Sequence, residues 1–142
     1  MNPREILLVE DNLGDIRILQ EAFADAGITS RLNVVRGGDE AMDFLYRRGR
    51  FGGSPTPDLI VLDLNMPAKD GRTVLQELKA DPLLRNIPVA ILTSSAVDRD
   101  IVKTYGLPEE AYIVKPSFYA HYNEVVRSLM AVWHGGDATR RG

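Results

Sequence analysis

Leu59-Ile60-Val61-Leu62-Asp63 is an apolar run of strand length that ends on a carboxylate. No polar residue interrupts its first four positions, so neither face of this strand is built for water. Unbroken runs of this kind belong to parallel sheets covered on both faces, whereas a strand with one wet face alternates. Four more runs share the character: Ile6-Leu7-Leu8-Val9, Leu32-Asn33-Val34-Val35, Val89-Ala90-Ile91-Leu92 and Ala111-Tyr112-Ile113-Val114. Asn33 marks the second as an edge strand.

Between the runs, apolar residues recur at helical spacing: Ile16, Leu19, Gln20 and Phe23, then Ala41, Phe44 and Leu45, then Val74, Leu75 and Leu78. The last predicted helix runs from about Phe118 to Trp133 and places Phe118, Tyr122, Val125, Val126 and Leu129 on one face. Tyr119, Met130 and Trp133 fall off that face and suggest a second apolar seam, suited to a homodimer contact. Strand and helix thus alternate through the chain, and right-handed crossovers then give an α/β doubly wound parallel sheet. For five strands the expected arrangement is the flavodoxin-like (βα)5 fold, order 2-1-3-4-5, with its site at the carboxyl ends of the strands.

The stretch from Arg47 to Pro57 is rich in Gly and Pro and predicts an exposed irregular loop, its arginines 47, 48 and 50 solvated. Residues 1–132 are expected to form one domain. Residues 133–142, polar and Gly-rich, are expected to fray as a tail with no output domain attached.

Composition narrows the functions. The 142 residues carry a net charge of −3, which offers no basic field for a nucleic-acid backbone. There is no cysteine, so disulfides, thiolate metal sites and thiol nucleophiles drop out, and a reducing compartment such as the cytoplasm is the default expectation. No apolar run nears the roughly 20 residues that cross a bilayer, and no signal-peptide core follows Met1; no membrane partner is expected. His121 and His134 lack metal-like partner spacing and read as solvated or packed.

The informative residues are those that leave the apolar pattern. Glu10 and Asp11 end the first strand, Asp63 the third, Thr93 and Ser94 the fourth, and Lys115 the fifth, so all six converge on one rim. Carboxylates gathered in a low-dielectric site repel unless a cation neutralises them. A divalent cation beside Lys115 brings the three carboxylates near neutrality, and Mg²⁺ suits this oxygen set with a phosphate oxygen as a further ligand.

These residues resemble the receiver domains of two-component signalling. Val9-Glu10-Asp11-Asn12 is similar to the family's acidic pair, and Asp63-Leu64-Asn65-Met66-Pro67-Ala68-Lys69-Asp70-Gly71 matches its D-x-x-M-P-x-x-D-G signature. Leu92-Thr93-Ser94-Ser95 and Lys115-Pro116 follow in the family's order. The resemblance spans about Arg4 to Val132 and implies a phosphoacceptor switch, not a turnover enzyme: Asp63 takes a phosphoryl group from a histidine kinase, in a Mg²⁺-dependent reaction in which Mn²⁺ can substitute.

The same resemblance implies that Glu10, Asp11, Asp63 and the Asn65 carbonyl hold the metal. It implies that Lys115 pairs with Asp63 and then with a phosphoryl oxygen, and that Thr93 and the Ser94 backbone N–H receive another. Thr93 and Tyr112 are the implied switch, altering the face of the fourth helix, fifth strand and fifth helix, through which a homodimer is also expected. Pro67, Gly71 and Pro116 are scaffold positions, Pro116 after a cis bond and Gly71 in an unusual backbone conformation. The long loop before the third strand and the Trp133 extension resemble regulators paired with phytochrome-type histidine kinases. Leu13 and Ser95 depart from the commoner pattern without removing a catalytic group.

Rival readings on a parallel sheet fit less well, and a pseudo-receiver is disfavoured by the full set of site residues. A haloacid-dehalogenase-like phosphatase needs an acid two residues after its aspartyl nucleophile, where this chain has Asn65. A flavin carrier needs hydroxyls and N–H groups after the first strand, where Glu10 and Asp11 repel a phosphate.

Overall fold

The computed structural model describes residues 3–66 and 70–141, the side chains from 136 onward excepted. Its order is β1 (Glu5–Val9), α1 (Leu13–Asp25), β2 (Arg31–Val35), α2 (Gly38–Tyr46), β3 (Leu59–Leu62), α3 (Gly71–Ala80), β4 (Val89–Thr93), α4 (Ile101–Thr104), β5 (Tyr112–Val114) and α5 (Tyr122–Arg141). The five strands form one sheet, β2-β1-β3-β4-β5, with every pair parallel. This is the predicted flavodoxin-like order.

Alternate residues of each central strand feed opposite sides of the sheet. Leu7, Val9, Ile60, Leu62 and Ile91 pack with Ala41, Phe44, Val74, Leu75 and Leu78 from α2 and α3. Ile6, Leu8, Val61, Ala90 and Leu92 pack with Ile16, Leu19, Phe23, Val125, Val126 and Leu129 from α1 and α5. Burying each such Leu or Ile is worth about 1.5–3 kcal/mol, which is why these strands tolerate no polar residue before their ends. Asn33, on the edge strand β2, satisfies its amide by donating to Glu5 Oε1 and the Ile6 carbonyl.

Three details differ from expectation. The chain leaves Pro116 through a 3-10 turn at Tyr119–His121, so α5 starts at Tyr122 and Phe118 is 69% exposed. Met130 and Trp133 are buried in the core against α1 and the sheet, so of the second apolar seam only Tyr119, 65% exposed, faces outward. The helix also continues past Trp133 to Arg141 where fraying was expected. No proline follows Pro116, and a helical glycine costs about 1 kcal/mol without removing an amide donor.

The loop before β3 is exposed as predicted but contains a 3-10 turn at Gly49–Phe51. Phe51 packs edge-on to Phe44, while Arg48 and Arg50 pair with Asp43 and Glu40 of α2. Among the described residues no helix is long and apolar enough to cross a membrane.

Candidate phosphoryl and metal site

Parallel register carries the strand ends to one rim. Val9 lies opposite Leu62, Leu62 opposite Ile91, and Thr93 opposite Val114. The ladder continues one residue further, with the N–H of Asp63 donating to the Val9 carbonyl and that of Lys115 to the Thr93 carbonyl. Glu10, Asp63 and Lys115 therefore leave the sheet side by side.

Glu10, Asp11 and Asp63 each offer a carboxylate oxygen within 4.8 Å of the others, and Glu10 and Asp63 are 1% and 5% exposed. Burial, reinforced by a hydrogen bond with Asp63, pushes the Glu10 carboxyl up to about 7 against the pull of Lys115. One carboxyl of the group thus holds a proton near neutral pH unless a cation replaces it. Glu10 Oε1 is ion-paired with Lys115 Nζ at 2.7 Å, and this buried oxygen has no other partner among the described residues. A hard divalent cation fits such a set of oxygens.

Lys115 is not centred on Asp63. Its ammonium sits 2.7 Å from Glu10 and 2.8 Å from Asp15, but 3.6 Å from Asp63 Oδ2. Burial alone would lower its pKa; the bonds to Asp15 and Glu10 and the charges of Glu10 and Asp63 outweigh this and raise it. The ammonium is permanently charged here.

Asp63 Oδ1 accepts the Asn65 backbone N–H at 3.0 Å. The Asn65 amide donates to Thr93 Oγ1 at 3.0 Å, and that oxygen also accepts the Ser95 N–H at 3.3 Å. Thr93 is fully buried. From Ser95 the chain of bonds reaches Tyr112, whose hydroxyl donates to the Ser95 carbonyl and whose ring is buried beneath the Arg99 guanidinium. Tyr112 is thus turned inward. Ser94 follows Thr93 on the exposed loop.

Two scaffold expectations are corrected. The Lys115–Pro116 bond is trans, as is every described peptide, the form X–Pro bonds favour by about 0.5–1 kcal/mol. Gly71 does not have a positive φ; it is glycine because a Cβ there would meet the Asp63 carbonyl oxygen at 2.2 Å. Asp70 caps α3 by accepting the Thr73 N–H. Pro67 lies outside the described residues.

Sequence reading missed Asp15 and the Asn65 amide. Asn12-Leu13-Gly14-Asp15 has the spacing of a capping box and could have placed Asp15 on the first turn of α1. No local pattern links it to a lysine 100 residues away.

The model of the response regulator receiver domain matches residues 6–127. The chain belongs to that family. It is 40% identical over 131 residues to the response regulator Rcp1 of Synechocystis sp. (strain ATCC 27184 / PCC 6803 / Kazusa), covering 92% of this receiver and 89% of the relative. The crystal structure of the phosphorylated cyanobacterial phytochrome response regulator RcpA superposes with TM-score 0.81 at 42% identity, over 92% of this receiver and 94% of RcpA. That of the Mn²⁺-bound form of Rcp1 superposes with TM-score 0.80 at 40% identity, over 92% and 94% of the two chains. The receiver's acidic trio lies at the carboxyl edge of this shared fold.

Proposed function

We propose that this receiver is a cytoplasmic phosphoacceptor switch, charged on Asp63 by a histidine kinase in a Mg²⁺-dependent reaction that Mn²⁺ also supports. The observation that carries the reading is one buried aspartate set among two further carboxylates and a charged lysine. Asp63 Oδ2 attacks the phosphorus of a phosphohistidine; the P–N bond breaks, its electron pair leaves with the imidazole, and an acyl phosphate forms. Glu10, Asp11, Asp63 and the Asn65 carbonyl would hold the cation, which when bound neutralises the carboxylates and the incoming phosphoryl oxygens. The residues contribute position and charge, which a loose phosphoryl transition state requires.

The acyl phosphate then competes for groups already engaged. Lys115 and the Thr93 hydroxyl turn to phosphoryl oxygens, with the Ser94 N–H as a further donor. Thr93 leaves its bonds with Asn65 and Ser95, and the change passes through Ser95 to Tyr112. The face of α4, β5 and α5 is the readout, by a shift between two pre-existing arrangements. The likeness to Rcp1 and RcpA supports a phytochrome-type kinase as partner. A homodimer through that face belongs to the same reading and is tested by sedimentation with and without phosphodonor.

Acetyl phosphate with Mg²⁺ is expected to shift the protein in phosphate-affinity electrophoresis, and EDTA to prevent the shift. An unshifted protein at saturating Mg²⁺ would refute the proposal.

The Glu10 carboxyl makes cation binding pH-dependent. Its folded pKa of about 7 exceeds the ordinary 4.5, so the cation-free fold binds more protons than the unfolded chain between these values. Its contribution is present below about pH 4.5 and fades as pH rises through about 7. Mg²⁺ must displace that proton, so the rise in melting temperature on adding Mg²⁺ should grow from pH 5 to about pH 7 and level off above. A rise independent of pH across this range would contradict the assignment.

A further inference from the structure

Asp15 does more than begin a helix. The capping bond at the start of α1 is made by Asn12, whose side chain accepts the Asp15 N–H at 3.0 Å. The Asp15 carboxylate is left to reach across the rim, where Oδ2 accepts a hydrogen bond from Lys115 Nζ at 2.8 Å. This is not a solvated surface pair, because the Lys115 side chain is only 11% exposed. The first turn of a helix favours a negative charge, and Asp15 lies on the first turn of α1 next to that ammonium.

The consequence lies in the distances. Lys115 touches Glu10 and Asp15 and stands 3.6 Å from Asp63. A second carboxylate beyond Glu10 pulls the lysine to the outer side of the site. We propose that Asp15 is a positioning residue of the phosphoryl site: together with Glu10 it holds the Lys115 ammonium back from Asp63 and competes with an arriving phosphoryl group for it. Asp63 then keeps an oxygen unblocked before transfer. After transfer, Asp15 draws Lys115 away from the phosphoryl oxygens and shortens the life of the charged state. The added negative charge at the rim acts in the same direction, since it repels the phosphoryl group.

This inference rests on Asp63 as phosphoacceptor, and trifluoroberyllate, a phosphoryl mimic that coordinates an aspartyl carboxylate, separates the two claims. Its affinity is measured by calorimetry at saturating Mg²⁺ for the wild type, Asp15→Asn, Asp15→Ser and Asp15→Glu. The neutral variants are expected to bind about tenfold tighter and to release the mimic more slowly, the size of one charge-assisted hydrogen bond no longer opposing binding. Asp15→Glu restores the carboxylate and should return the affinity toward the wild-type value, which a purely structural role of the first turn would not predict. Two neutral substitutions guard against one that misfolds. Equal or weaker binding by the neutral variants, beside normal binding by the wild type, would overturn the role of Asp15 alone. No binding by the wild type would overturn the phosphoacceptor reading, and this inference with it.

Discussion

Asp63→Asn is expected to abolish phosphoryl incorporation from acetyl phosphate and, in EDTA, to melt at a higher temperature than the wild type. Loss of labelling follows because a neutral amide lacks the carboxylate's charge and cannot form the acyl phosphate. The gain in stability follows from the same buried charges. Glu10, Asp11 and Asp63 crowd within 4.8 Å, and burial first, then the hydrogen bond with Asp63 and its charge, push the Glu10 carboxyl up to about 7. Removing one charge relieves that repulsion, while Lys115 keeps Glu10 and Asp15 as partners. The amide oxygen of the substituted side chain can still accept the Asn65 N–H, so the local turn is retained. A stabilisation of about 1–2 kcal/mol is expected, on the order of one pKa unit of relieved interaction. Mg²⁺ should stabilise the variant less than the wild type. Undiminished labelling, or a variant less stable in EDTA, would refute Asp63 as the proposed acceptor.

Gly71→Ala should be the most damaging small substitution in the chain. The new methyl would lie 2.2 Å from the Asp63 carbonyl oxygen, 2.7 Å from Leu64 Cα and 2.9 Å from the Asp63 carbonyl carbon. All three are backbone atoms, so no side chain can swing aside. Relief requires moving α3 away from the segment after β3 or moving that segment itself, which begins at Asp63, the proposed phosphoacceptor. Overpacking of a core typically costs about 1–3 kcal/mol, and a clash of this depth with main chain belongs at the top of that range. Urea denaturation should show the loss. The surviving folded protein should also label more slowly, since a misplacement of about 1 Å can cost about a hundredfold in rate. Stability within about 0.5 kcal/mol of the wild type would mean that α3 moves freely against β3.

Much of this molecule can be read from its residues. The runs ending in Glu10, Asp63, Thr93 and Lys115 are legible because a strand covered on both faces admits only apolar side chains until it reaches the rim, so the first polar residue announces the site. The stripes Ile16, Leu19 and Phe23, and Val74, Leu75 and Leu78, are legible for the related reason that one helical face is covered. Phe118 misled because it sits at helical spacing from Tyr122, although the chain first turns through Tyr119–His121 and exposes it. Trp133 and Met130 misled in the opposite sense. α5 lies deep enough against α1 and the sheet to bury a wider stripe than periodicity alone assigns.

Chain order and hydrophobic pattern were enough to determine the strand sequence, the sheet and the residues that meet at its carboxyl edge, because alternation and burial act over a few residues at a time. Only the tertiary structure decided that Lys115 leans toward Asp15 and Glu10, that Asn65 holds Thr93, and that Gly71 is small to admit the Asp63 carbonyl. Those contacts depend on angles and separations between elements distant along the chain. A shift of about an ångström there exchanges one hydrogen-bond partner for another, and no local spacing in a sequence records it.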